Sequence, residues 1–218
     1  HTHTHTHTHT HTHTHTQRNP TANREKLAQL LMDTFSVPAI YVASQGPLIL
    51  LACKLSRGVA VSMGAGVTHV TPVYDRQPIT FTSVPEVLRS NTLTGNTLTD
   101  YLATLLTERG HYGFDDTSSG RRILAEMKEA LCYVASDFQA ELDKSKKDPA
   151  SIEKSFTLPD ESTITLGDER FRCAEALFKP YLMGLDEILG IHEMVYRSIM
   201  KCPIQNRREL FGNIVLAG

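Results

Sequence analysis

The tightest local constraint in this chain is Gly64-Ala65-Gly66, three small residues set between two strand-like stretches, Val59 to Met63 and Val67 to Tyr74. Glycine stands where a reversing backbone needs positive φ, so the segment predicts two strands joined by a tight turn with bare backbone at its tip. The flanks are helical or extended. After Asn19-Pro20, which has the form of a helix start, Leu27, Leu30, Leu31 and Phe35 recur at helical spacing. Val37 to Val42 reads as a short strand, and Ser44 to Leu55 as an apolar helix that tolerates Pro47 in its first turn.

Helices are predicted over Thr97 to Arg109, stopped by Gly110, and over Arg121 to Val134. Phe156 to Leu158 and Thr163 to Leu166 flank a Pro-Asp-Glu-Ser turn and predict a second hairpin. Helices at Asp168 to Phe178, His192 to Lys201 and Asn206 to Phe211 then lead to a last strand, Asn213 to Ala217. This mixture gives an α/β expectation, a central mixed sheet with flanking helices.

Residues His1 to Thr16 are eight His-Thr dipeptides. Only threonine methyls are available to bury, so the tract cannot offset chain entropy and is expected to be disordered. Its histidines could chelate a transition metal adventitiously, but a translated short repeat is the simpler reading.

Charge argues against two classes of partner. With 22 basic against 24 acidic residues there is no excess to draw the chain to nucleic acid or to a membrane surface. Cys53, Cys132, Cys173 and Cys202 lack zinc-site spacing and read as four reduced core thiols. The longest apolar run, around Leu48 to Cys53, is too short for a bilayer, and no secretory leader opens the chain, so a cytosolic place is expected.

Longer stretches carry a resemblance. NREKLAQLLMDTFSVPAIYVASQ, GVTHVTPVYD, LTDYLATLLTERG, MKEALCYVASDF, EKSFTLPDESTITLGDERFRC, GIHEMVYRSIMKC and NIVLAG, in this order and spacing, are similar to the actin family over nearly everything from Pro20 to Gly218. The resemblance implies an actin-like fold, RNase H-like and shared with sugar kinases and heat-shock ATPases, in which two lobes enclose ATP or ADP with Mg2+ or Ca2+. Residues 17–43 then correspond to a remnant of the first lobe, 44–56 to the hinge helix and 57–218 to the second lobe, incomplete at both ends. An actin-like cytoskeletal and cytoplasmic protein is implied, with actin or actin-related subunits, actin-binding proteins and a chaperonin as partners.

The resemblance also places site residues. Gly64, Ala65, Gly66 and Val67 match the family's second phosphate loop, Gly95 a glycine before the next helix, and Lys128 and Glu129 the adenine and ribose contacts. Gln45 matches the glutamine that orients the attacking water, and His69 a histidine of the same cavity. Taken alone, Gln45 reads equally as a surface cap, His69 as a strand position and Lys128-Glu129 as a solvated helix face. Leu182, Met183, Gly184 and Leu185 match an apolar loop that contacts neighbouring subunits, with ordinary packing as the alternative.

Two departures bear on chemistry. The family has DSGDG where this chain has Ser62-Met63-Gly64-Ala65-Gly66, so both aspartates near the metal's water shell are replaced by uncharged residues. After Gly95 the family's Arg-Asp is Asn96-Thr97, preceded by about five extra residues. Nucleotide binding with impaired hydrolysis is therefore expected, against a non-enzymatic actin-related scaffold or a non-functional gene fragment.

Overall fold

The computed structural model describes residues 11–15, 21–79, 89–90, 92–114 and 117–218. Most of the His-Thr tract and the Asn19-Pro20 helix start lie outside them. Along the chain run β1 (His11–His15), α1 (Thr21–Gln29), β2 (Ile40–Ser44), α2 (Gln45–Ala52), β3 (Gly58–Met63), β4 (Thr68–Tyr74), β5 (Gln77–Pro78) and β6 (Arg89–Ser90). There follow α3 (Gly95–Glu108), α4 (Ser118–Leu131), α5 (Phe138–Lys147), β7 (Lys154–Thr157), β8 (Thr163–Leu166), α6 (Glu169–Glu175), α7 (Ile191–Lys201), α8 (Ile204–Gly212) and β9 (Ile214–Ala217). Two compact units emerge, one of His1–Ser62, His69–Leu88 and Arg197–Gly218, the other of Met63–Thr68 and Arg89–Tyr196.

In the first unit, β3 lies between β4 and β9, and β5 edges β4. The pairing is mixed: β3 runs parallel to β9, with Val59 opposite Ile214 and Ser62 opposite Ala217, whereas β5 turns back antiparallel on β4. β3 is buried from Gly58 to Ser62, as a central strand covered on both faces must be. α2 packs on the sheet through Leu50, which with Ala60 and Val73 forms a core ringed by Ile49, Leu55 and Val215. At the sheet edge, β9 leaves Ile214 and Leu216 exposed and half-buries Val215 between them, the alternation of a strand with one open face.

Three sequence expectations change here. Disorder was expected for the whole His-Thr tract, but His11–His15 pairs in parallel with β2, His11 opposite Ile40 and His15 opposite Ser44. The bonds involved are backbone bonds, which any extended chain can make, and threonine suits a strand. Second, the apolar stripe of α1 does not bury as a stripe. A π-turn over Leu30–Thr34 follows the helix, adds a residue to the turn and rotates later positions off the line, leaving Leu30 and Phe35 exposed. Third, the four cysteines are all free, yet they are not all core thiols: Cys53 is exposed and Cys132 half-buried.

The second unit is held by α3, α4, α6 and β8. Leu102, Leu105 and Leu106 of α3 meet Leu124 and Met127 of α4, Ile164 and Leu166 of β8 and Cys173 of α6. The starts of α3, α4 and α5 are capped: Thr94 Oγ1 accepts from Thr97 N, Thr117 Oγ1 from Gly120 N and Asp137 Oδ1 from Ala140 N. Such a cap contributes about 1 kcal/mol. Full burial of one leucine contributes roughly 1.5–3 kcal/mol, so packing outweighs capping in placing α3. The β7–β8 hairpin follows the expected turn, with Lys154 opposite Leu166 and Thr157 opposite Thr163.

Polar groups buried in this unit are matched. Glu169, nearly inaccessible, accepts from Arg109 Nη1 at 2.9 Å and from Gly167 N at 2.7 Å. Arg170 donates to Leu131 O and Ile152 O and lies over the Tyr133 ring. Tyr133 Oη in turn donates to Glu141 Oε1 at 2.7 Å. Burial first, and the Glu141 carboxylate second, push the Tyr133 phenol up to about 12. The folded state therefore holds this proton more tightly than the unfolded chain, where tyrosine titrates near about 10. The contribution is whole below about pH 10 and is lost as pH rises through about 12. Burial also pushes Tyr101 up, so phenolate absorbance during alkaline titration should show late tyrosines of which Tyr133→Phe removes one; an unchanged titration contradicts the assignment.

Candidate functional site

The loop between β3 and β4 belongs to the second unit and is built on the start of α3. Gly64 N donates to Val67 O at 2.9 Å, closing the turn. Gly64 O and Ala65 O then accept from the first two amides of α3, Gly95 N at 3.0 Å and Asn96 N at 2.9 Å. In a trans peptide the N–H points opposite to the C=O, so tying both carbonyls to α3 aims the amides of Ala65 and Gly66 the other way. Two successive amides facing one side make a concavity suited to an anion. Ala65 and Gly66 are exposed, and below them Thr68 Oγ1 donates to Leu93 O at 2.6 Å in a buried bond.

Gly95 is where a side chain would interfere. A Cβ there would stand 3.3 Å from Ala65 Cα, so glycine lets loop and helix touch. Lys128 crosses from α4 and donates to Gly95 O at 2.7 Å and to Thr99 Oγ1 at 2.9 Å, while Thr99 Oγ1 donates to Gly95 O. Gly64 to Val67, Gly95 and Lys128 are thus joined by one set of hydrogen bonds. Glu129 is not among them and stands exposed on α4. The loop also differs from its sequence reading in one respect: neither Gly64 nor Gly66 has positive φ. At Gly66 a Cβ would meet nothing within 4 Å, so neither φ nor space within the chain requires glycine there.

A second group lies in the first unit. Gln45, Gly46, Ile49, Ala60, Ser62, His69 and Thr71 enclose a cavity of about 10 Å³, the scale of a single water. Gln45 opens α2, Ser62 ends the buried part of β3 and His69 is buried on β4, so strand register and the start of one helix converge their polar groups. Gly46 makes the convergence sterically feasible, since its backbone lies against Thr71. None of the lining side chains is a carboxylate, the ligand on which hard divalent cations chiefly rely. Among the described residues no cluster of three His, Cys, Asp or Glu offers an alternative metal site.

Leu182 and Met183 end a 3-10 turn, Pro180–Met183, and Gly184 reverses the chain at φ 73°. Leu182, Met183 and Leu185 are half-buried, so the segment is neither a bare patch nor core. Leu185 lines an open groove of about 500 Å³ with Phe178, Tyr181 and His192.

The family model described as Actin matches residues 1–218, the whole chain. The chain belongs to the actin family. Its mixed sheet with flanking helices is consistent with the actin fold. The family is generally one of nucleotide- and divalent-cation-binding proteins of the cytoskeleton. No helix among the described residues is long and apolar enough to cross a membrane. What sequence reading missed within the actin motifs is their supporting work. In DERFRC, Glu169 and Arg170 serve buried carbonyls, amides and a partner arginine, and Thr68 and Thr99 brace the loop from below.

Proposed function

We propose that this actin-family chain binds an adenine nucleotide, ATP or ADP, through the loop from Met63 to Thr68 and that it turns the nucleotide over poorly. The reading is carried by the two loop carbonyls held on the first amides of α3, which leave the Ala65 and Gly66 amides directed outward for phosphate oxygens. Lys128 adds a cation bonded to the first turn of α3, on which the loop is held, and Glu129, exposed on α4, takes the ribose or adenine contact. When bound, Mg2+ or Ca2+ would supply charge neutralisation of the phosphates. The residues present do not fit that ion, because Ser62 and Ala65 stand where the family has aspartates. Assembly with actin-like subunits is assigned to the segment Leu182 to Leu185 and the groove beside it.

The test is equilibrium binding of a fluorescent ATP analogue, with and without Mg2+, to the parent and to a Ser62→Asp, Ala65→Asp double variant. The parent is expected to bind with a micromolar Kd, about −8 kcal/mol, almost unchanged by Mg2+. The double variant should gain about tenfold with Mg2+, equivalent to about 1.4 kcal/mol, and nothing in chelator. Absence of binding by a folded parent would overturn the nucleotide reading. A parent already strongly dependent on Mg2+ would overturn the account of the lost carboxylates.

A further inference from the structure

Two of the four cysteines, separated by 41 positions in sequence, meet in the second unit. Cys132 caps the end of α4 with extended backbone, φ −74° and ψ 148°, which stops the helix and turns the chain toward α6. Both of its neighbours are bonded to one residue of that helix: Arg170 Nε donates to Leu131 O at 2.8 Å, and Tyr133 N donates to Arg170 O at 3.3 Å. Cys173 comes one helical turn after Arg170, so it presents the same side of α6. It is fully buried in the leucine core, and Cys132 packs half-buried against that core. The Cys173 thiol donates to Leu98 O at 3.4 Å and can turn its proton instead to the neighbouring Cys132 sulfur.

We infer that Cys132 is a site of oxidation by hydrogen peroxide and that Cys173 is its resolving thiol, the pair closing to a disulfide that joins the end of α4 to α6. The two sulfurs have unequal access, as this division of labour requires: the outer one meets the oxidant and the inner one does not. Their electrostatics differ in the same sense. The hydrogen bond from Cys173 pulls the Cys132 thiol below its ordinary range, and the Lys128 ammonium one turn earlier on α4 adds to this. The same bond, together with burial, pushes Cys173 up. Thiolate is the form that peroxide attacks, so Cys132 reacts first. Cys202, whose thiol donates to Ser198 O and is pushed up by burial, makes an internal reference.

The chemistry balances with the peroxide alone. The Cys132 thiolate sulfur attacks one peroxide oxygen, the O–O bond breaks, and Cys132 sulfenic acid forms with release of hydroxide, which takes the proton that Cys132 gave up. Cys173 sulfur then attacks the sulfenyl sulfur, the S–O bond breaks, and the Cys173 proton leaves with the hydroxyl as a second water. Two thiols are oxidised by two electrons and one peroxide is reduced to two waters.

The experiment treats the full chain with graded hydrogen peroxide, blocks remaining thiols and digests with trypsin without reduction. Cleavage after Lys128, Lys144, Arg172 and Arg197 isolates peptides 129–144 and 173–197, with the Lys179-Pro180 bond resisting. The expected product is these two peptides linked, two hydrogens lighter than their sum, and formed at least tenfold faster than any oxidation of Cys202. In Cys173→Ser, dimedone should instead label Cys132 as a persistent sulfenic acid; in Cys132→Ser, Cys173 should stay alkylatable. If parent protein shows both peptides unlinked at peroxide levels that already oxidise Cys202, the inference is wrong. It is equally wrong if Cys132 links to Cys53 instead.

Discussion

Arg170→Met is expected to lower the stability of the second unit by about 3 kcal/mol, read as a fall in the denaturant midpoint at unchanged slope. Arg170 is only 9% exposed, and its guanidinium satisfies Leu131 O, in the last turn of α4, and Ile152 O, a carbonyl of a buried residue. Methionine keeps most of the apolar volume and leaves both carbonyls without a donor. An unsatisfied buried group costs about 1–3 kcal/mol, so two of them decide the result over any small change in packing. The contact of the guanidinium with the Tyr133 ring, 4.7 Å to its centroid, is lost as well. Arg170→Lys is the informative companion: it retains charge, but a single ammonium cannot reach two carbonyls in fork geometry, and it should recover less than half of the loss. A fall below about 1 kcal/mol for the methionine variant would show that water replaces the guanidinium at both carbonyls.

Arg170 also shows where the sequence stops being readable. Its partners lie 39 and 18 positions away, and nothing in the spacing of DERFRC says which distant carbonyls it reaches. The resemblance marked the motif without revealing that its charged residues stitch one unit together. Elements with a clear period were legible: α2, β3, β4, α3 and the β7–β8 hairpin all appear within a few residues of their expected places. α5 was missed because it buries none of its residues and so has no apolar period to detect. Its signal was of another kind, Asp137 capping the start and Lys144, Lys146 and Lys147 in the last turn, where cations complement the helix dipole.

The candidate site divides in the same way. Gly64, Ala65, Gly66 and Gly95 were named from sequence, and the structure joins them to each other and to Lys128. Their mutual support was not legible, because it runs through carbonyls and the Thr68 and Thr99 hydroxyls, groups that any residue or any threonine supplies. His11–His15 is the opposite case, a composition that predicts disorder and a backbone that pairs regardless.

Gly46→Ala should destabilise the first unit by about 3 kcal/mol, at the upper end of what overpacking costs. On an exposed helix the same change stabilises by roughly 0.5–1 kcal/mol, since alanine is the better helix former, so the sign alone tests the argument. A Cβ at this position would lie 2.3 Å from Thr71 Cγ2 and 2.7 Å from Thr71 Cβ. The first contact could be relieved by rotating the threonine; the second is fixed by the β4 backbone, and Thr71 is buried in any rotamer. The start of α2 must therefore lift from the sheet, which carries Gln45 away from Ser62 and His69 and opens the small cavity between them. Thr71→Ala removes only the first contact and should rescue little, whereas Thr71→Gly removes both. In a double-mutant cycle with Gly46→Ala, Thr71→Gly should show a favourable coupling of at least about 1 kcal/mol against its own cost as a strand glycine. Additive losses in that cycle would mean that α2 is displaced by something other than Thr71.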